Sequence, residues 1–173
     1  MDLTRRQFTQ GAAALAAVGS APMAFAADTL KIGYVSPQTG PLAPFGEADK
    51  WVIEQMRPAM KGGITVGGKK YDVQVVLKDS QSNPNRAGEV ANDLILKDRV
   101  ALVLTAGTPE TANPVSDACE LNEIPCISSV VPWQPWFFGR KGDPKKGFDW
   151  TYHFFWGLED VIANFTNGWK TVQ

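Results

Sequence analysis

A chain of 173 residues, 44% of them hydrophobic, is long enough to bury a core of its own, which excludes an intrinsically disordered polypeptide. Its 17 basic and 18 acidic residues leave a formal net charge of −1, with lysines and arginines scattered singly or in pairs. That excludes the basic face by which proteins hold nucleic acid.

Residues 1–26 read as an export signal. Thr4, Arg5, Arg6, Gln7 and Phe8 precede a weakly apolar run rich in alanine and glycine, and Ala24, Phe25 and Ala26 supply a small-residue cleavage site. The paired arginines resemble a twin-arginine signal cleaved after Ala26. Gln10 stands where such signals usually carry lysine, so Sec export stays open. Removing this segment takes away two arginines and one aspartate and leaves the mature part mildly acidic. No other run approaches the roughly 20 apolar residues of a membrane span. The mature chain is therefore expected to be soluble, outside the cytoplasm and without direct membrane insertion.

The first strand of the mature part is expected over 30–35, ending in a loop whose glycines and prolines, between Ser36 and Gly46, make it rigid and non-helical. A helix follows over 47–60, with Trp51, Val52, Ile53, Met56 and Met60 supplying an apolar side. Gly67 and Gly68 mark a two-residue hairpin between 64–66 and a strand whose alternation runs to Leu77. Asn83 as N-cap and Pro84 at the first helical position open a helix to about Lys97, with Ala87, Val90, Ala91, Leu94 and Ile95 as its buried stripe. The stretch 99–132 then reads as one complete strand, helix, strand unit. Residues 100–104 and 124–127 are short apolar strands, and a helix over 113–121 joins them. Residues 130–138 and a basic, glycine-rich excursion over 139–147 follow, then a strand over 151–156 and a helix over 158–172. This order predicts an α/β fold: an open, doubly wound, mostly parallel sheet with helices on both faces.

Catalytic chemistry finds little to work with. His153 is the sole histidine and lies in an aromatic run, and the sequence lacks a GxSxG elbow, a phosphate-binding loop, HExxH and GxGxxG. No enzyme activity and no cofactor are expected. Cys119 and Cys126 have no CxxC or CxxH neighbour, which speaks against metal or redox chemistry. In an oxidising compartment they are either a disulfide or two buried thiols. Binding is better supported: Thr39, Asp79 and Ser80, Thr105, Thr108 and Thr111, and Ser128 and Ser129 each follow a strand, so all should share one sheet edge. Short hydroxyls and helix-start N–H groups there suit a carboxylate or other small polar head. Trp133, Trp136, Phe137 and Phe138 are candidates to wall an apolar body or to pack the excursion on the sheet.

Several of these residues carry a resemblance. Lys31-Ile32-Gly33, the run from Thr39 to Gly46, Asp79-Ser80-Gln81-Ser82-Asn83-Pro84 and Ile124-Pro125-Cys126-Ile127-Ser128 are similar to the type I periplasmic solute-binding proteins, in the branch that includes the leucine/isoleucine/valine-binding proteins of ABC importers. The resemblance implies two α/β lobes closing on a ligand. It implies that Phe45 stacks on the ligand, that Ala106, Gly107 and Thr108 hold its carboxylate, and that Ser129, Val130 and Trp133 lie against its other side. A serine and a threonine common in the family fall at Pro109 and Pro132, so a related aromatic or aliphatic carboxylate is expected as readily as an α-amino acid. The implied partners are a small-molecule carboxylate or amino-acid ligand and the membrane permease of an ABC importer, with the protein in the periplasm. The implied organisation is an export signal (1–26), an N-terminal ligand-binding lobe (27–150), and a crossover opening a second lobe that is mostly missing (151–173). A ligand-sensing receptor domain of the same fold and an exported α/β hydrolase using Ser128 or Ser129 are the alternatives.

Overall fold

The structure, a computed structural model, describes residues 28–172; the expected export signal lies outside the described residues. Its strands are β1 (Asp28–Ser36), β2 (Ile64–Val66), β3 (Lys69–Asp79), β4 (Leu102–Ala106), β5 (Cys126–Ser129) and β6 (Thr151–His153). They form one sheet in the order β2-β3-β1-β4-β5-β6. All neighbours pair in parallel except β2, which turns back on β3 as the expected hairpin. The helices are α1 (Asp49–Met60), α2 (Pro84–Leu96), α3 (Pro109–Leu121), α4 (Trp133–Gly139) and α5 (Leu158–Thr171).

Because side chains alternate along a strand, the register decides which residues meet which helix. Val76, Gly33, Val103 and Cys126 lie side by side across the sheet, on the face covered by α2 and α3. Here Val35, Val90, Leu94, Val115 and Cys119 complete the main core. The α2 stripe is buried as its spacing predicts, and the Asn83 side chain accepts from the Arg86 N–H at 3.0 Å to cap that helix. Gly33 is required because Leu94 lies over it; a Cβ there would meet Leu94 Cδ1 at 2.9 Å.

On the opposite face Leu77, Tyr34, Leu104, Ile127 and Tyr152 form the next row. Tyr34 donates to Asp49 of α1 at 3.0 Å, while Ile127 and Tyr152 remain exposed. Helices therefore cover both faces, as the sequence predicts for a doubly wound α/β fold.

The boundaries differ from expectation in several places, one being β6, which ends at His153 and not at the expected Trp156 because its ladder with β5 runs only from Thr151 to His153. β4 and β5 end two residues later than their apolar runs, because parallel pairing carries Thr105, Ala106, Ser128 and Ser129 into the ladder. α3 begins at Pro109, so Pro114 lies inside the helix and not in its first turn. Part of the stretch expected to be irregular is α4, a seven-residue helix whose Trp136 packs with Ala112, Val131, Phe137 and Phe148 in a second small core. At the far end, α5 has no buried residue, and Ile162, Phe165 and Trp169 stand exposed on it.

Candidate functional site

The carboxyl ends of the parallel strands form one rim. Ser36 pairs with Asp79, Val35 with Thr105 and Ala106 with Ser129, so the segments that follow four strands, β1, β3, β4 and β5, leave the sheet along a common edge. The first of these segments is fixed by the turn after β3. Asp79 accepts from the backbone N–H groups of Gln38 at 2.8 Å and Thr39 at 3.3 Å, and from the Thr39 hydroxyl at 2.6 Å. Ser82 Oγ donates to the Thr39 carbonyl at 2.6 Å and accepts from the Leu42 N–H at 2.9 Å. The two sequence motifs, 39–46 and 79–84, are thus halves of one interlocked structure. Its tightness explains Gly40, which has φ +86° and lies where a Cβ would meet Ser82 Oγ at 2.7 Å.

Partial burial works to raise the Asp79 pKa, but the hydrogen bonds from Thr39, Gln81 and Gln38 outweigh it and hold the carboxyl below its ordinary value of 3.8. A depressed folded-state pKa contributes stability above the unfolded value, and that contribution is lost as pH falls through the folded one. Asp79→Asn should therefore lower the urea midpoint at pH 6, with the gap from the parent protein narrowing as the pH is taken below about 3.8. A gap independent of pH would show that the carboxylate's charge is not what ties the loop.

Phe45 ends a single 3-10 turn in this loop and is half exposed. Next along the rim are Ala106, Gly107 and Thr108. Gly107 has φ +142° and lies where a Cβ would meet Thr111 Oγ1 at 2.8 Å and Pro37 Cδ at 3.1 Å, so the loops after β1 and β4 touch there. Thr108 is the N-cap of α3, which carries Pro109 in its first turn. Across from it, Ser129 donates to the Phe154 carbonyl at 3.1 Å, and Val130 holds φ +75°, a left-handed conformation that a β-branched residue adopts only under constraint from its surroundings. Trp133 opens α4 with 37% of its surface exposed. The fold thus carries Phe45, Ala106, Gly107, Thr108, Ser129, Val130 and Trp133 on segments leaving one edge.

Not every oxygen expected on that edge is available there. Thr105, Thr111, Ser80 and Ser128 are buried. Thr105 Oγ1 donates to the Val35 carbonyl at 3.0 Å, serving the sheet and not a ligand. Ser128 lies 2.8 Å from His153 Nδ1 and also contacts the Tyr152 carbonyl at 3.2 Å. Burial inside the sheet leaves this serine closed to a substrate carbonyl. His153 stacks on Trp136 with centroids 4.9 Å apart, and desolvation pushes its pKa below 6.5, so the ring is neutral at pH 7. Trp136 belongs to the core, where its indole N–H donates to Ser116 at 3.1 Å; of the four aromatics expected over 133–138, Trp133 and Phe138 are exposed and Phe137 is half-buried. Among the described residues no group of three or more His, Cys, Asp or Glu side chains converges in metal-binding fashion.

One feature of the rim escapes sequence reasoning. Trp133 Nε1 donates to Glu159 Oε1 at 2.9 Å, Gln134 Nε2 also donates to Glu159, and Gln134 Oε1 accepts from the Leu158 N–H at 2.8 Å. The start of α4 is therefore clamped to the start of α5. The one hint in the sequence is an acidic pair, Glu159 and Asp160, just past Gly157 at a helix start.

Residues 29–170 match the family of periplasmic binding proteins. The leucine-, isoleucine-, valine-, threonine- and alanine-binding protein of Pseudomonas aeruginosa is 32% identical over 112 residues, 62% of this chain and 28% of that protein. The fold is also that of the branched-chain amino acid binding protein LivJ from Streptococcus pneumoniae, solved with isoleucine (TM-score 0.59, 23% identity, 75% of this chain and 34% of that one). It is likewise that of an ABC transporter solute-binding protein from Rhodopseudomonas palustris solved with 3,4-dihydroxybenzoic acid (TM-score 0.58, 24% identity, 75% and 32%). The chain thus spans about a third or less of the length of these relatives. Among its described residues no helix is long and apolar enough to cross a membrane. With its parallel sheet, its tied first loop and this match over most of its length, the chain belongs to the periplasmic binding protein family.

Proposed function

We propose that this chain is the N-terminal lobe of the extracytoplasmic solute-binding component of an ABC transporter. It captures a small carboxylate, such as a branched-chain or other amino acid or an aromatic acid, and delivers it to a membrane permease. Export by the N-terminal signal, with cleavage after Ala26, puts it in the periplasm. In this reading Phe45 stacks on the solute, and the backbone N–H groups from Ala106 to Thr108, beside the positive end of α3, meet its carboxylate. Ser129 and Val130 contact its other end, and Trp133 contributes apolar area. Residues 151–173 lead into a second lobe, and closure of the two lobes excludes water from the solute.

The observation that carries this reading is the shared rim: four segments separated in sequence leave one sheet edge, the first already tied in place. Calorimetric titration of the full product of the reading frame with isoleucine, other amino acids and hydroxybenzoates tests it. Saturable binding of one carboxylate is expected; heats no larger than dilution across the whole set would overturn it. Trp133→Ala should weaken that binding by about 1–3 kcal/mol through lost apolar contact. Trp133→Phe, which keeps a ring but cannot donate to Glu159, should weaken it less. Equal affinity in all three proteins would remove Trp133 from the site.

A further inference from the structure

Toward the end of the strands opposite the rim, the two cysteines of the chain lie in the main core. Cys119 sits near the end of α3 and Cys126 is the first residue of β5. Both are fully buried free thiols in the same core cluster. The connection between them is tight: Glu123 takes φ +56° to reverse the chain, and the Ile124 N–H donates to the Cys119 carbonyl at 3.0 Å. The Cys126 sulfur beside it, together with burial, raises the pKa of the Cys119 thiol. The charged groups acting on this thiol are Arg140, which lowers its pKa, and Glu120, which raises it. The sequence holds no third cysteine to compete for either sulfur.

We propose that Cys119 and Cys126 are joined by a disulfide in the mature protein, stapling the end of α3 to the start of β5. The compartment in which this happens rests on the export reading above; the pairing itself rests on the fold. The bond forms by exchange with a disulfide donor, a dithiol-disulfide oxidant in the cell or oxidised glutathione in vitro. One cysteine thiolate attacks the donor and releases one donor thiol, giving a mixed disulfide. The second thiolate then attacks the protein sulfur of that mixed disulfide and releases the other donor thiol. The protein loses two protons and two electrons, and the donor is reduced to its dithiol form. Since both sulfurs are fully buried in the folded core, exchange takes place before the core closes, and the finished bond is shielded from reductant.

The test is to equilibrate the purified chain in a series of glutathione redox buffers, once under refolding conditions, with folding followed by circular dichroism, and once in guanidinium. Acid quenching, alkylation under denaturing conditions and intact mass then give the oxidised fraction. A bond that fits the fold should have an oxidation equilibrium constant at least about tenfold larger in the refolded chain than in guanidinium, and the oxidised protein should melt about 5 °C or more above the reduced one. Equal constants, or two alkyl groups on the refolded chain in every buffer, would overturn the pairing. Cys119→Ser and Cys126→Ser should each take up one alkyl group after the same refolding. The same alkylation on the full product drawn from the periplasmic fraction separates the two readings. A chain that oxidises on refolding but is recovered from cells reduced and uncleaved supports the pair and counts against export.

Discussion

Leu94→Ala should lower the unfolding free energy by about 3 kcal/mol, inside the range of about 2–5 kcal/mol found for leucine truncations in closed cores. Leu94 is fully buried and is the largest side chain of that kind among the described residues. It projects from α2 onto Gly33 of β1, so truncation leaves a cavity that neither a helix nor a six-stranded ladder can collapse to fill. Its contact with Gly33 gives a sharper check than the single variant. Gly33→Ala forces a methyl to within 2.9 Å of Leu94 Cδ1 and should cost about 1–3 kcal/mol by overpacking. Placed in the Leu94→Ala background, the same methyl enters the vacated space and should cost far less. Urea unfolding of the four proteins closes the cycle, and strict additivity would show that the two residues do not share that space.

Asp117→Ala should cost about 3 kcal/mol, more than Arg140→Met, although Asp117 is the more exposed partner of the pair. The Arg140 side chain is 1% exposed, with Nε 2.6 Å from Asp117 Oδ1, Nη1 donating to Thr151 Oγ1 at 2.9 Å, and its guanidinium 3.9 Å from the Phe148 ring centroid and 4.7 Å from that of Trp136. Removing Asp117 leaves a cation walled by aromatic rings without its carboxylate. Replacing Arg140 by methionine removes the charge itself and keeps much of the packing against the same rings. The order of the two urea midpoints decides the matter: if Arg140→Met is the more damaging, the guanidinium is held by its stacking and its bond to Thr151, not by its counter-charge.

What the sequence made legible follows from periodicity. The α2 stripe, its Asn83 cap and the hairpin at Gly67 and Gly68 lie where spacing predicts, because each is set by a few adjacent residues. The shared edge was legible for the same reason, since strand order in a parallel sheet leaves few places for the ends to go. Side-chain direction was not. Thr105 and Ser128 differ from Ser129 only in which face of the pleat they occupy, and a one-residue shift in register is invisible in a run of four apolar residues. Likewise α4 has Pro135 inside seven residues and no repeating stripe, so nothing local announces a helix. It exists because Trp136 found Ala112, Val131 and Phe148, which are distant in sequence.

The bonds from Asp79 and Ser82 tie the loop that carries Phe45 to the turn after β3. If the proposed function holds, an incoming solute finds that wall already in shape, and the encounter does not wait for the loop to fold around it. Differences in affinity between competing solutes then reside in how long each one stays, far more than in how quickly each arrives.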